Sequence, residues 1–229
     1  YYSEDGVLSG YIASNTVNGM SSKGVYPYIK HFVLNDQESN RCTFLLTYSD
    51  EQAMREIYLK PFEICVKNFE GSSVAVMSSF NFIGYKAAGA NPELLNTVLR
   101  DEWGYRGMVL SDWNGSYGYQ MTDDFVRNGN DAMLGFNTYE SNRITNTSAT
   151  VVKAMRQAAK NICYTIANSG NYTIPDPDAG KMPFMNKLFI GVDVGIGVVA
   201  VAVMALVLLR WKKKRTAEPK LTVESAGKK

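Results

Sequence analysis

The sequence predicts an α/β chain: four strand–helix units, about half of an eight-stranded (β/α)8 TIM-like barrel, followed by a single transmembrane helix. Three observations predict it. Two short apolar runs, Tyr28-Ile29-Lys30-His31-Phe32 and Gly107-Met108-Val109-Leu110-Ser111-Asp112-Trp113, deliver polar groups to their C-terminal ends, where barrel enzymes keep their chemistry. Helical and strand patterns alternate along the body of the chain, and strict alternation implies a parallel sheet. Finally, the 22 residues from Leu188 to Leu209 contain one charge, Asp193, and are long enough to span a bilayer.

Each element has its own warrant. Ser9 to Ser22 reads as a helix and Val25 to Phe32 as a strand. Ser49 to Asn68 reads as a helix opened by Ser49 and Gln52 as a capping box. Val74 to Ser79 is the next strand. Asn91-Pro92 supplies a helix N-cap and a first-turn proline, and Gly104 after Trp103 supplies the left-handed stop before the strand that ends at Asp112. A helix is predicted from Tyr117 to Asn128, a strand over Asp131 to Leu134, and a last helix from Ser148 to Ala167 with Val151, Val152, Met155, Ala158, Ala159 and Ile162 on its apolar side. Half a barrel has two open edges, so this body is not expected to be a stable domain by itself.

The domain boundaries follow: a partial barrel at 1–169, a Pro-containing spacer at 170–187, the membrane segment at 188–209 and a basic tail at 210–229. Arg210-Trp211-Lys212-Lys213-Lys214-Arg215 flanks the apolar segment, and basic flanks mark the cytoplasmic side. The tail is therefore expected inside the cell and the body outside. Tyr1-Tyr2-Ser3-Glu4-Asp5 has neither the basic start nor the apolar stretch of an export signal, so such a signal is expected upstream of Tyr1. The formal charge is +2, with the excess in the tail, and no nucleic-acid partner is expected. Cys42, Cys65 and Cys163 lack metal-ligand spacing and read as small buried hydrophobes; neither a metal nor an organic cofactor is expected.

An aspartate at a strand end is commonly a cap, a lone histidine is commonly a core residue, and an arginine is commonly half of a surface pair. The motifs taken together say more. Lys30-His31-Phe32-Val33-Leu34-Asn35-Asp36-Gln37-Glu38-Ser39-Asn40-Arg41, Arg55-Glu56-Ile57-Tyr58-Leu59-Lys60-Pro61-Phe62, Val76-Met77-Ser78-Ser79-Phe80-Asn81, Leu99-Arg100-Asp101-Glu102-Trp103-Gly104-Tyr105-Arg106-Gly107 and Ser111-Asp112-Trp113 stand in order at characteristic separations. Together with Tyr1 to Asp5 they resemble the second half of the catalytic barrel of family 3 glycoside hydrolases, from Tyr1 to about Ser169.

That resemblance implies that Asp112 is the nucleophile of a retaining glycosidase, where a carboxylate must reach the anomeric carbon of an oxocarbenium-like transition state. It implies that Lys30, His31 and Arg41 bind hydroxyls of the sugar in the first subsite, and that Met77, Phe80 and Trp113 line it. Phe80 stands where the family more often has tyrosine, which removes a hydroxyl from the neighbourhood of Asp112. After Lys-His-Phe this chain has Val33-Leu34-Asn35-Asp36-Gln37-Glu38 in place of a Gly-rich loop with a second histidine. It thus resembles the β-glucosidase and β-xylosidase branch, in which a glutamate on a separate domain supplies the proton. Glu38, Glu56 and Glu102 are not expected to substitute for that glutamate. The resemblance therefore implies a membrane-anchored hydrolase acting on β-linked glucosides or xylosides from the non-reducing end, with reversed domain order and the acid/base upstream. The alternative is a tethered carbohydrate-binding or vestigial half barrel.

Overall fold

A computed structural model describes residues 2–69, 74–115, 117–136, 142–169, 182 and 184–217, with side chains to residue 213. The chain divides into two compact units, Tyr1–Asp176 and Pro177–Lys229.

In the first unit α1 (Gly6–Ser21) leads into β1 (Tyr28–Phe32). β2 (Leu46–Thr47), α2 (Glu51–Ala53) and α3 (Lys60–Lys67) come before β3 (Ala75–Ser78), and the hairpin β4 (Phe82–Ile83) and β5 (Lys86–Ala87) follows it. Next come α4 (Glu93–Glu102), β6 (Val109–Asn114), α5 (Thr122–Arg127), β7 (Ala132–Gly135) and α6 (Ala149–Ala167). β1, β3, β6 and β7 form one parallel sheet in that order, with helices on the crossovers, as the alternation predicted. All four residues of β3 are buried, the mark of a strand covered on both faces.

The core lies between this sheet and α1, α3 and α4. Val76 and Val109 pack there with Leu94, Leu95 and Leu99 of α4, and the Phe32 ring meets Phe62 and Trp103 edge-on at 5.1 and 5.9 Å. Side chains alternate along a strand. With Val76 and Val109 turned to the helices, the paired residues Met77 and Leu110 take the opposite face, and the register of β6 then shifts between Leu110 and Trp113, where Asp112 stands.

Local chemistry sets the boundaries and corrects several expectations. α1 begins three residues before Ser9 because the Asp5 carboxylate accepts from the Val7 and Leu8 N–H groups at 2.8 and 3.1 Å. The helix expected to open on a Ser49–Gln52 capping box is capped instead by Asp50, which accepts from the Ala53 N–H at 2.7 Å, while Gln52 reaches Glu56. The Ser49 hydroxyl donates instead to Asp50 O at 3.1 Å. Met54–Tyr58 then winds wide, with the Leu59 N–H donating to Met54 O. Asn91 does cap α4, accepting from the Leu94 N–H at 3.2 Å, and Gly104 ends the segment at φ +73°. Gly107 is required for another reason: a Cβ there would lie 2.4 Å from Val74 O and 2.6 Å from the Tyr105 hydroxyl.

The helix expected from Tyr117 to Asn128 shrinks to α5, because Gly118 takes φ +85° and the Asn114 amide holds Gln120 O at 2.8 Å in a loop. On α6 the buried face keeps only Val151 and Ala158 of the expected apolar side. Val151, Ala158, Asn161 and Thr165 point inward, while Val152 and Met155 are exposed. Polar demand turned the helix: Asn161 donates to Asp131 at 2.8 Å, and the Thr165 hydroxyl accepts from the Met108 N–H at 2.8 Å. Cys163 is consequently exposed and Cys42 half-buried, so only Cys65 fits the expectation of a buried hydrophobe. A second sheet, β2–β4–β5, was not expected at all; two-residue strands carry too little pattern to read.

In the second unit α7 (Phe184–Ala217) begins before the expected Leu188 and runs past Leu209. The stretch Phe184–Lys213 is long and apolar enough to cross a membrane by length and composition, with its side chains exposed. Most of the expected spacer at 170–187 and tail at 210–229 lies outside the described residues.

Candidate active site

β1, β3 and β6 bring their C-terminal ends together. Asp112 is 7% exposed in β6, and its Oδ2 lies 3.5 Å from His31 Nε2 on β1. Its Oδ1 accepts from the Trp113 N–H at 2.7 Å, which fixes the plane of the carboxylate. No hydrogen-bond donor reaches the buried Oδ2 among the described residues; the His31 approach is an ion-pair distance rather than a hydrogen bond. The strand backbone beneath is pinned by Ser111, whose hydroxyl bonds Asp112 O at 2.7 Å and accepts from the Leu134 N–H at 2.9 Å.

Partial burial lowers the pKa of His31, and the neighbouring Lys30 and Arg41 add to the effect against the opposing pull of Asp112. The imidazole is thus held neutral further into the acid range than a free one. Folded-state stabilisation from neutral His31 is present above about pH 6.5 and is lost as pH falls through the lowered pKa. His31 is the only histidine of this chain, and loss of its signal in His31→Gln assigns it in a proton NMR titration of the complete polypeptide. A midpoint below about 6.5 is expected, and one at or above it would show that Asp112 outweighs burial.

Arg41 pairs with Glu38 at 3.0 Å and lays its guanidinium over the Phe80 ring at 4.9 Å, so one side chain links the loop after β1 to the loop after β3. Phe80 is 4% exposed, and Met77, near the end of β3 beside β6, is 9% exposed. Trp113 is 36% exposed and meets the Phe136 ring edge-on at 5.1 Å. Lys30 is exposed beside His31. The structure therefore gathers Lys30, His31, Arg41, Met77, Phe80, Asp112 and Trp113 at one end of the sheet, from positions up to 83 residues apart. The carboxylates considered as substitute acids are committed elsewhere. Glu102 binds Arg55 at 2.7 Å, which lowers its pKa and keeps it charged, and Glu56 accepts from Gln52.

Four further side chains at the site escaped the sequence reading. Asn81 donates to Val33 O at 3.1 Å and Thr47 Oγ1 at 3.0 Å, bracing the loops that carry Phe80 and Arg41. Tyr117 meets Phe80 edge-on at 5.7 Å, the Tyr119 hydroxyl donates to Phe80 O at 3.0 Å, and Phe136 covers Trp113. The glycine between the two tyrosines was the available signal that this stretch is loop. Among the described residues no cluster of His, Cys, Asp or Glu could hold a metal ion.

Residues 1–163 match the glycosyl hydrolase family 3 N terminal domain. The chain is 35% identical over 199 residues to β-glucosidase B of Emericella nidulans, covering 83% of this chain and 23% of that protein. It is 47% identical over 116 residues to a β-glucosidase of Rhizobium radiobacter, covering 51% of this chain and 14% of the relative. Among solved structures it resembles β-glucosidase 3B of Thermotoga neapolitana in complex with α-D-glucose, with 36% identity and a TM-score of 0.65 over 76% of this chain and 25% of that one. The β-glucosidase of Kluyveromyces marxianus in complex with glucose is similar at 33% identity and a TM-score of 0.61, over 72% of this chain and 20% of that one. The chain thus spans about a quarter or less of the length of these relatives. A family match across the whole parallel sheet and every residue gathered at its end has one meaning: this chain belongs to glycoside hydrolase family 3.

Proposed function

We propose that this chain is the second half of the catalytic barrel of a membrane-anchored, retaining β-glycosidase acting on β-linked glucosides or xylosides from the non-reducing end. The observation that carries the reading is the Asp112 carboxylate. One oxygen is locked by a backbone N–H while the other is buried, directed past His31 and without a hydrogen-bond donor among the described residues. Oδ2 attacks the anomeric carbon as the glycosidic C–O bond breaks, and a general acid gives its proton to the leaving oxygen. Water, deprotonated by the same group, then cleaves the glycosyl ester and regenerates the carboxylate. Lys30, His31 and Arg41 hold the hydroxyls, while Met77, Phe80 and Trp113 form the apolar wall.

The second carboxyl group must stand about 5 Å from the first, and Glu38, Glu56 and Glu102 do not take that role. It comes from sequence upstream of Tyr1, together with the strands that close the barrel, in keeping with the small share of each relative that this chain covers. α7 crosses the membrane with the barrel outside and the basic tail inside, on the strength of the Arg210–Arg215 flank. The complete polypeptide tests both halves at once. Activity on aryl β-glucosides or β-xylosides is expected to sediment with membranes washed in alkaline carbonate. Its release into the wash would overturn the anchor, and its absence from pellet and wash alike would overturn the glycosidase reading.

A further inference from the structure

Beside the proposed first subsite lies a second concavity. A groove of about 390 Å³ opens between the small sheet and α5, lined by Phe44, Phe82, Lys86, Tyr119, Asp124 and Asn128 among others. Its floor is aromatic: Phe44 and Phe82 stack at 5.6 Å with planes 30° apart, and Tyr119 touches them at 5.0 and 5.1 Å. Its rim is polar, with an ammonium, a carboxylate and an amide.

Phe44 is the telling residue. It is 57% exposed and stands at φ +57°, a conformation that a bulky side chain rarely adopts. A bulky residue held in that conformation costs stability, and such costs collect at binding sites. The groove is also continuous with the catalytic wall. Ring centroids step from Phe80 to Tyr117 at 5.7 Å, from Tyr117 to Tyr119 at 6.4 Å, and from Tyr119 to Phe44 at 5.0 Å.

We infer that this groove is a distal sugar subsite that binds one further unit of a β-linked oligosaccharide whose end occupies the first subsite. The inference rests on the glycosidase reading. A pyranose has a flat face of C–H groups and an equatorial ring of hydroxyls. Phe44 and Phe82 supply the platform for the face, the Asp124 carboxylate and the Asn128 Oδ1 accept from rim hydroxyls, and Lys86, held by Glu93 at 2.6 Å, keeps one N–H for them. Tyr119 is a positioning residue, since its hydroxyl ties the groove to the Phe80 backbone.

The test measures binding, with Asp112→Ala blocking turnover in the complete polypeptide, by calorimetric titration with glucose and with β-linked gluco-oligosaccharides of two to five units. Affinity is expected to rise with chain length. Adding Phe44→Ala is expected to remove about tenfold of the affinity for the longest ligand, with glucose binding retained, and Phe44→Trp is expected to restore it. Intact glucose binding with no gain from chain length, or a gain that ignores Phe44, overturns the subsite alone. An equal loss for glucose and oligosaccharide shows a structural role for Phe44 and also overturns it. Failure of the parent Asp112→Ala chain to bind glucose overturns the glycosidase reading and the subsite with it.

Discussion

Asp112→Ala in the complete enzyme is expected to lower kcat on aryl β-glycosides on the order of 10⁴-fold or more, as removal of a nucleophile does elsewhere. The loss follows from the geometry. The side chains around Asp112 have other work: His31 is held neutral and Arg41 is engaged with Glu38 and Phe80. The substitution also leaves a small cavity where Oδ2 was, so azide is expected to restore part of the rate by attacking the anomeric carbon directly. Its product would have inverted configuration, since one displacement replaces two. In the unsubstituted enzyme a 2-fluoro glycoside is expected to leave its sugar on the peptide containing Ser111-Asp112-Trp113. A label on another residue, or a variant retaining a tenth of the activity, would move the nucleophile away from Asp112.

What could be read from the sequence and what could not divides along a physical line. The strands of the main sheet and the residues at their ends were legible because burial on both faces writes a dense apolar run, as in Ala75–Ser78, and because Asp112 and His31 interrupt such runs where polarity is costly. The caps at Asn91 and Gly104 were legible because one residue type satisfies one backbone need. Elements whose form is decided at long range were not. α6 turned to face Asp131 and Met108, 30 and 57 residues away in sequence, and no local pattern announces that demand. The stretch from Tyr117 to Met121 was expected to be helix, whereas Tyr117 and Tyr119 find their partners in Phe80 and Phe82, just after β3. The aromatic wall and the groove beyond it exist only through those long-range contacts.

The same long-range demand makes Arg100 the position where a change away from the site should do most damage. Asp131, 7% exposed, accepts from Arg100 and from the Val109 N–H at 2.7 Å each and from Asn161 at 2.8 Å, while Arg100 also donates to Gly107 O and Gly129 O and covers the Tyr105 ring. One ion pair thus ties α4, β6, the entry to β7, and α6. Burial raises the Asp131 carboxyl above the usual carboxylate range despite these donors. Breaking the pair strands a buried charge. Arg100→Met is expected to cost about 3–5 kcal/mol at neutral pH, measured from urea midpoints of the complete polypeptide. The cost should depend on pH with a definite sign. Without Arg100 the folded-state pKa of Asp131 rises further above its unfolded value of about 3.9, so stability is retained in acid and lost as pH rises through the folded pKa. The variant should therefore unfold at lower urea at pH 8 than at pH 5. Adding Asp131→Asn removes the titrating group, and the double variant should lose that pH slope and be more stable at pH 8 than Arg100→Met alone. A slope that survives in the double variant would place its origin in some group other than Asp131, and a flat profile in Arg100→Met would mean that water reaches the carboxylate as soon as the guanidinium is gone.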